Sequence, residues 1–136
     1  MAGSESAQHS SDAAYVPGVC NIGPAEIERR RQAGNAGVAA SLGLLAILVA
    51  VRAPRRTRWL VTLPAAGAAS GYLQARLRFC AGFGSRGVYN FGRLGTVNHV
   101  QAAEARRLDR ARSARIGLAS LGIGLVAGAA SVALPI

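Results

Sequence analysis

The sequence predicts an all-α integral membrane fold: three transmembrane helices, with an amphipathic Arg-rich extension before the third. Three observations point there. Residues 32–51, 59–75 and 116–136 are apolar runs without a single charge, and the first and last are about long enough to cross a hydrocarbon core. Hydrophobic residues make up 51% of the 136-residue chain but aromatics only 5%, so Ala, Leu, Val and Gly carry the apolar content. Small residues of this kind let helix backbones approach closely in lipid, whereas a water-soluble core fills its volume with larger side chains. Third, all sixteen basic residues are Arg, and they gather at the ends of the runs rather than along them.

Residues 1–15, small, polar and unpatterned, read as a disordered tail ahead of a single domain, 16–136. The tail has no charged start followed by an apolar core, so no cleavable signal is expected, and Ala2 does not fit the myristoylation pattern. Pro24 suits the first position of a helix because its missing N–H would be unpaired there, and Glu26 and Glu28 favour the positive helix end. That helix is expected to run from about Pro24 to Val51 and to stop before Pro54. The tight connection RAPRRTR sends the next helix back, with Trp59 at the interface. Asn98 is a plausible cap for the third helix, with Gln101 as reciprocal partner, giving an extension from Asn98 to Arg115 of roughly 27 Å. This extension either projects or lies on the lipid surface with Val100, Ala103, Leu108 and Ala111 inward.

The segments 16–31 and 76–115 then share one side and form a polar platform. Twelve Arg lie on that side, against Arg52, Arg55, Arg56 and Arg58 on the other. The positive-inside rule places the N-terminus and the long connection in the cytoplasm of a bacterial cell and the chain in its inner membrane, as a multi-pass protein. The net charge of +10 matches anionic lipid, with Arg29, Arg30, Arg31, Arg106, Arg107 and Arg110 at the headgroups. Nucleic acid is not expected as a partner, since no aromatic residues interleave the Arg-rich helix.

The stretch Gly82-Phe83-Gly84-Ser85-Arg86-Gly87 spells G-x-G-x-x-G. A dinucleotide loop needs a strand before it and a helix after it. Here the flanks are the end of an apolar helix and more Gly-rich chain, so close packing or tight turns at a membrane surface are expected instead. Gly67 and Gly71 on the second run, and Gly124 and Gly128 on the third with Ser120, have the spacing of helix-packing faces. Cys20 and Cys80 fall on the same side of the membrane. They read first as small buried hydrophobes, with a structural disulfide or a reactive thiol pair as alternatives; a disulfide would put the N-terminus outside. Asn21, Tyr89, Asn90 and Phe91 form a possible surface patch, or else the aromatics, with Phe83, anchor at the interface. No paired carboxylates or nucleophile–base arrangement is found, so no catalytic residue, metal site or cofactor is assigned. His99 alone is a candidate third ligand beside the cysteines, and His9 sits in the tail.

The runs CNIGPAEIERRR and FCAGFGSRGVYNFG resemble a group of small bacterial multi-pass membrane proteins with a CNIGPAEI-type motif. The resemblance implies a shared architecture over most of the chain beyond the tail, and no activity. The expectation is a non-catalytic accessory or structural subunit of a larger membrane assembly, joined to a membrane-protein partner or to copies of itself. The alternatives are a membrane thiol protein using Cys20 and Cys80, and a small transporter or channel component. The last is disfavoured because no ionisable residue lies within any run.

Overall fold

A computed structural model describes residues 15–136 and is mostly helical. Helix α1 spans Pro24–Ala50. A 3-10 helix, Arg55–Val61, leads into α2, Thr62–Leu77. The long connection contains the short helix α3, Ala81–Arg86, and strands β1, Val88–Tyr89, and β2, Asn98–His99. Helix α4, Ala103–Ala133, ends the fold. Residues 1–14, where most of the expected tail lies, fall outside the described residues. Tyr15, placed in that tail by composition, is packed against the domain.

Helix α1 starts on Pro24, as local chemistry requires, and ends by a hydrogen-bonded reversal. Arg52 takes the left-handed conformation, its N–H donating to Val49, and the Ala53 N–H donates to the Leu48 carbonyl at 3.0 Å. This satisfies carbonyls left open at the helix end. Helix α2 stops the same way: Arg78 is left-handed and Phe79 N–H donates to Gln74. Pro64 falls in the first turn of α2, where its missing N–H leaves no helical bond unmade.

Helix α2 is the middle of three. On one side it crosses α1, where a Cβ added to Gly71 would come within 2.6 Å of the Gly34 nitrogen. One added to Gly37 would meet the backbone of Ala68. On the other side it crosses α4, with Gly124 against Ala66 and Thr62. Gly128 lies against Thr62 and Trp59. Only side chains of no size permit such approaches. The buried face of α4 runs Ala105, Asp109, Ser113, Ile116, Ser120, Gly124, Gly128 and Ser131, in steps of three and four residues.

Two of the helices, α1 and α4, are long and apolar enough to cross a membrane; α2, at 16 residues, is not by length alone. Its span is about 24 Å, short of a core of about 30 Å. The expected second run is split because its first residues, with Trp59, belong to the 3-10 turn. The apolar surface points outward: only 6% of the apolar stretch of α1 and 28% of that of α4 is buried. Leu42, Leu63, Leu118 and Val126 are among the exposed side chains.

The hydrophobic clusters sit in the connection instead. Ile22, Cys80, Phe83 and Val88 form one, with Ile27 against it; Tyr89, Val100 and Ala105 form another, with Tyr15 and Phe91. Three expectations are revised here. Asn98 does not cap α4: it pairs with Tyr89 in an antiparallel ladder, Val88 opposite His99, and the helix begins five residues later. The Gly-rich stretch is the helix α3, and of the two expectations, close packing and tight turns, close packing holds at Gly84. Gly84 within it lies against Phe79 and Ser113, where any side chain would collide, and Gly87 ends it at φ +70°. The extension before the membrane-length part of α4 is not an independent surface helix. Val100, Ala105 and Asp109 are buried in the platform, whereas Leu108 and the Arg face are exposed.

Candidate functional site: a bonded polar platform and an Arg-lined cleft

The platform is built around four polar side chains that are almost wholly buried: Asn21, Glu26, Asn90 and Asp109. Burying such groups is tolerable only when each is bonded. Asn21 acts as a piece of backbone. Its Oδ1 accepts from the Cys80 N–H at 2.6 Å and its Nδ2 donates to the Cys80 carbonyl at 3.1 Å. The main chain around it makes an isolated parallel bridge, Ile22 with Asn90, just past β1: Asn90 N–H donates to Asn21 O and Gly23 N–H to Asn90 O, each at 2.9 Å.

Asn90 in turn shapes the loop between the strands. Its Nδ2 donates to the Arg93 carbonyl at 2.8 Å, and its Oδ1 accepts from Gly92 N–H and the Thr96 hydroxyl. The same Nδ2 reaches Glu26 Oε1 at 3.4 Å. Arg30 closes the other side of Glu26 with an ion pair at 3.5 Å and places a second N–H 2.8 Å from Cys80 Sγ. The guanidinium also lies over the Phe83 ring, 5.8 Å from its centroid. Asp109 holds the start of the described chain: Oδ1 accepts from Gly18 N–H at 2.7 Å, and Oδ2 accepts from the Tyr15 hydroxyl. Tyr15 stacks on Tyr89 at 4.6 Å. Burial pushes the Tyr15 phenol above its ordinary value, and the bond to Asp109 adds to that.

Asn21, Tyr89, Asn90 and Phe91 are therefore brought together, but not as a surface patch. The first three are buried, and Phe91 packs on Tyr89. Phe83 is buried too, so neither it nor Tyr89 is an interfacial anchor. The reason is the hydrogen-bonded bridge that residues 21–23 make to Asn90, which their local sequence does not announce. Cys20 and Cys80 are free thiols with different neighbours. Cys20 Sγ lies 3.8 Å from the Ile22 carbonyl; burial pushes this thiol up, with the Arg78 charge opposing. Cys80 belongs to the hydrophobic cluster and faces Arg30.

Of the six Arg expected at headgroups, Arg30 turns inward as described. Arg31 pairs with Glu28 at 2.7 Å, and Arg107 pairs with Glu104, whose carboxyl it holds below the usual range. Arg106 lies beside Gly87, and Arg29 and Arg110 are exposed. Of the four packing glycines, Gly71, Gly124 and Gly128 lie at crossings inside the chain. Gly67 meets nothing within 4 Å, because it faces away from both neighbouring helices. Gly34 and Gly37, on α1, supply the contacts instead. His99 stands on β2, and among the described residues no three His, Cys, Asp or Glu side chains converge.

A cleft of about 800 Å³ opens beside the platform, between the start of α1 and the end of α2. Its apolar wall includes Ile22, Ile27, Ala75 and Phe91, and Arg31, Arg76 and Arg78 reach it. At the far end of the molecule Arg58 is buried and donates to the carbonyls of Ser131, Leu134 and Ile136, closing the last turn of α4. No known protein family matches this chain, nor does any curated protein or solved structure.

Proposed function

We propose that the chain is a small non-catalytic subunit of a bacterial inner-membrane assembly, crossing the bilayer three times with the platform in the cytoplasm. The single observation that supports this most is the division of the molecule. Helices with outward apolar faces pack through glycine, while the ordinary hydrophobic clusters sit in a bonded cap at one end. In water, α1 would expose most of its apolar length, an arrangement monomeric soluble proteins avoid. Helix α2 lies between α1 and α4 and runs back along both, so a bilayer enclosing those two encloses it as well. The platform's buried Asn21, Glu26, Asn90 and Asp109 each bond within the platform, a structural use, and its exposed face carries Arg29 and Arg110 for acidic partners or lipid.

The test is extraction in mild detergent followed by native sizing and mass spectrometry. A stoichiometric complex, with another membrane protein or with further copies of this chain, is the expected result. A lone chain under every extraction condition would end the subunit reading, and a chain that stays monodisperse in plain buffer would end the membrane reading.

A further inference from the structure

We propose that the cleft between the start of α1 and the end of α2 binds one molecule of anionic phospholipid, its phosphate on Arg76 and Arg78. The inference rests on the membrane reading above and gives it a specific, saturable lipid site, beyond diffuse attraction to the headgroup layer. Four observations converge. First, charge in the cleft is unbalanced. Glu28 is its acid, and it is held by Arg31 at 2.7 Å. No ion pair joins Arg76 or Arg78 to an acid among the described residues. Two guanidiniums without an acidic partner thus line one cleft, and guanidinium suits phosphate through paired N–H donors.

Second, the first turn of α1 forms part of the wall through Gly23 and Pro24, without a side-chain cap. The positive end of a 27-residue helix therefore adds to the Arg charge. Third, Arg78 occupies the left-handed position that ends α2, at φ +54°. A residue with a Cβ is disfavoured there relative to glycine. The strained backbone is fixed by the Asn21 N–H, which donates to the Arg78 carbonyl at 3.1 Å. Fourth, the cleft has an apolar wall: the half-buried Ile27 and Phe91, beside Ile22 and Ala75, offer a surface to an acyl chain and not to a free anion. A phosphate and a chain on one molecule meet both halves of the cleft.

Native mass spectrometry of the detergent-solubilised full chain, titrated with phosphatidylglycerol or phosphatidylcholine, tests this. One phosphatidylglycerol retained per chain, with at least a tenfold preference over phosphatidylcholine, is expected. R76Q/R78Q should lose that preference, while R106Q/R110Q, on the exposed face of α4, should keep it. Glu28→Gln releases Arg31 and removes the one acid of the cleft, so retention should strengthen; this variant serves if R76Q/R78Q fails to fold. Equal retention of the two lipids, or no change in both the R76Q/R78Q and Glu28→Gln variants, overturns the proposal. Displacement of phosphatidylglycerol by millimolar inorganic phosphate overturns it in favour of a soluble phosphate ligand. A detergent-dependent chain without lipid preference defeats this inference alone; a chain soluble in plain buffer defeats the membrane reading beneath it.

Discussion

Asn21 and Cys80, 59 positions apart, exchange two hydrogen bonds, with the Asn21 side chain serving as a strand's worth of backbone. This pair ties the entry to α1 to the exit from α2, so the two helices leave the platform in fixed register. Asn21→Ala removes both bonds and strands the buried Cys80 N–H, while the Cys80 carbonyl still accepts from Gly84 N–H. An unmet buried group costs about 1–3 kcal/mol, so a loss of that order is expected. Asn21→Asp keeps the acceptor, loses the donor and buries a charge, and should be no better. Thermal unfolding in detergent measures both. A change under about 0.5 kcal/mol for the alanine variant is what a surface position would give, and would show that the pair does not hold the platform.

The latch between Tyr15 and Asp109 sets an alkaline limit on the platform. Burial, and then the bond to Asp109, raise the Tyr15 phenol above its ordinary value near 10. The folded state thus keeps a proton that the unfolded chain gives up first. This contribution is fully present below about pH 10 and is lost as pH rises through the elevated folded value. Tyrosinate absorbance should include a late-titrating phenol that the Tyr15→Phe variant lacks. If all tyrosines ionise together in the folded protein, the latch is not formed in solution.

The gross plan was legible because charge-free runs and their Arg borders are local properties of the sequence. The start of α1 at Pro24 and its stop before Pro54 follow from proline stereochemistry alone. The platform was not legible, since its logic is long-range. Asn98 looks like a helix cap by its neighbours, but the ladder with Tyr89 claims its backbone. Asn21 and Asn90 read as members of a surface patch, and only the long-range bridge of Ile22 to Asn90 makes them interior. Glu26 reads as a dipole partner at a helix start, yet it is buried because Asn90 and Arg30 close over it. One signal was available in advance. Asp109 lies on the same three- and four-residue ladder as Ser113, Ser120, Gly124 and Gly128, which marks it as facing inward.

Gly67 and Gly71 have identical spacing credentials and opposite surroundings, which makes them a controlled pair. Gly71→Ala drives a methyl into the backbone of Gly34 and Arg30, so α1 and α2 must separate. Overpacking of this kind costs about 1–3 kcal/mol. Gly67→Ala meets open space and gains helix propensity, so it should be neutral or stabilising by up to about 1 kcal/mol. Gly34→Ala should resemble Gly71→Ala, because its methyl would enter the Tyr72 ring. Unfolding in a graded denaturing detergent ranks the three. Equal effects at Gly67 and Gly71 would place the helix crossing elsewhere.

The two thiols should separate by reactivity. Cys20 is half-buried at the cleft, whereas Cys80 is only 3% exposed and sits in a hydrophobic cluster. A maleimide should therefore label Cys20 in the folded protein and reach Cys80 only on unfolding. Burial raises the Cys20 thiol above its ordinary value near 9, so its thiolate is scarce at neutral pH and labelling should accelerate through the alkaline range. The same reaction reports orientation. With the platform in the cytoplasm, a membrane-impermeant maleimide leaves intact cells unlabelled and modifies Cys20 once the inner membrane is opened. Labelling of intact cells would reverse the topology and put the twelve platform-side Arg outside. Labelling of Cys80 as fast as Cys20 in the folded chain would mean that the contacts of Cys80 with Asn21, Arg30 and Phe83 open readily.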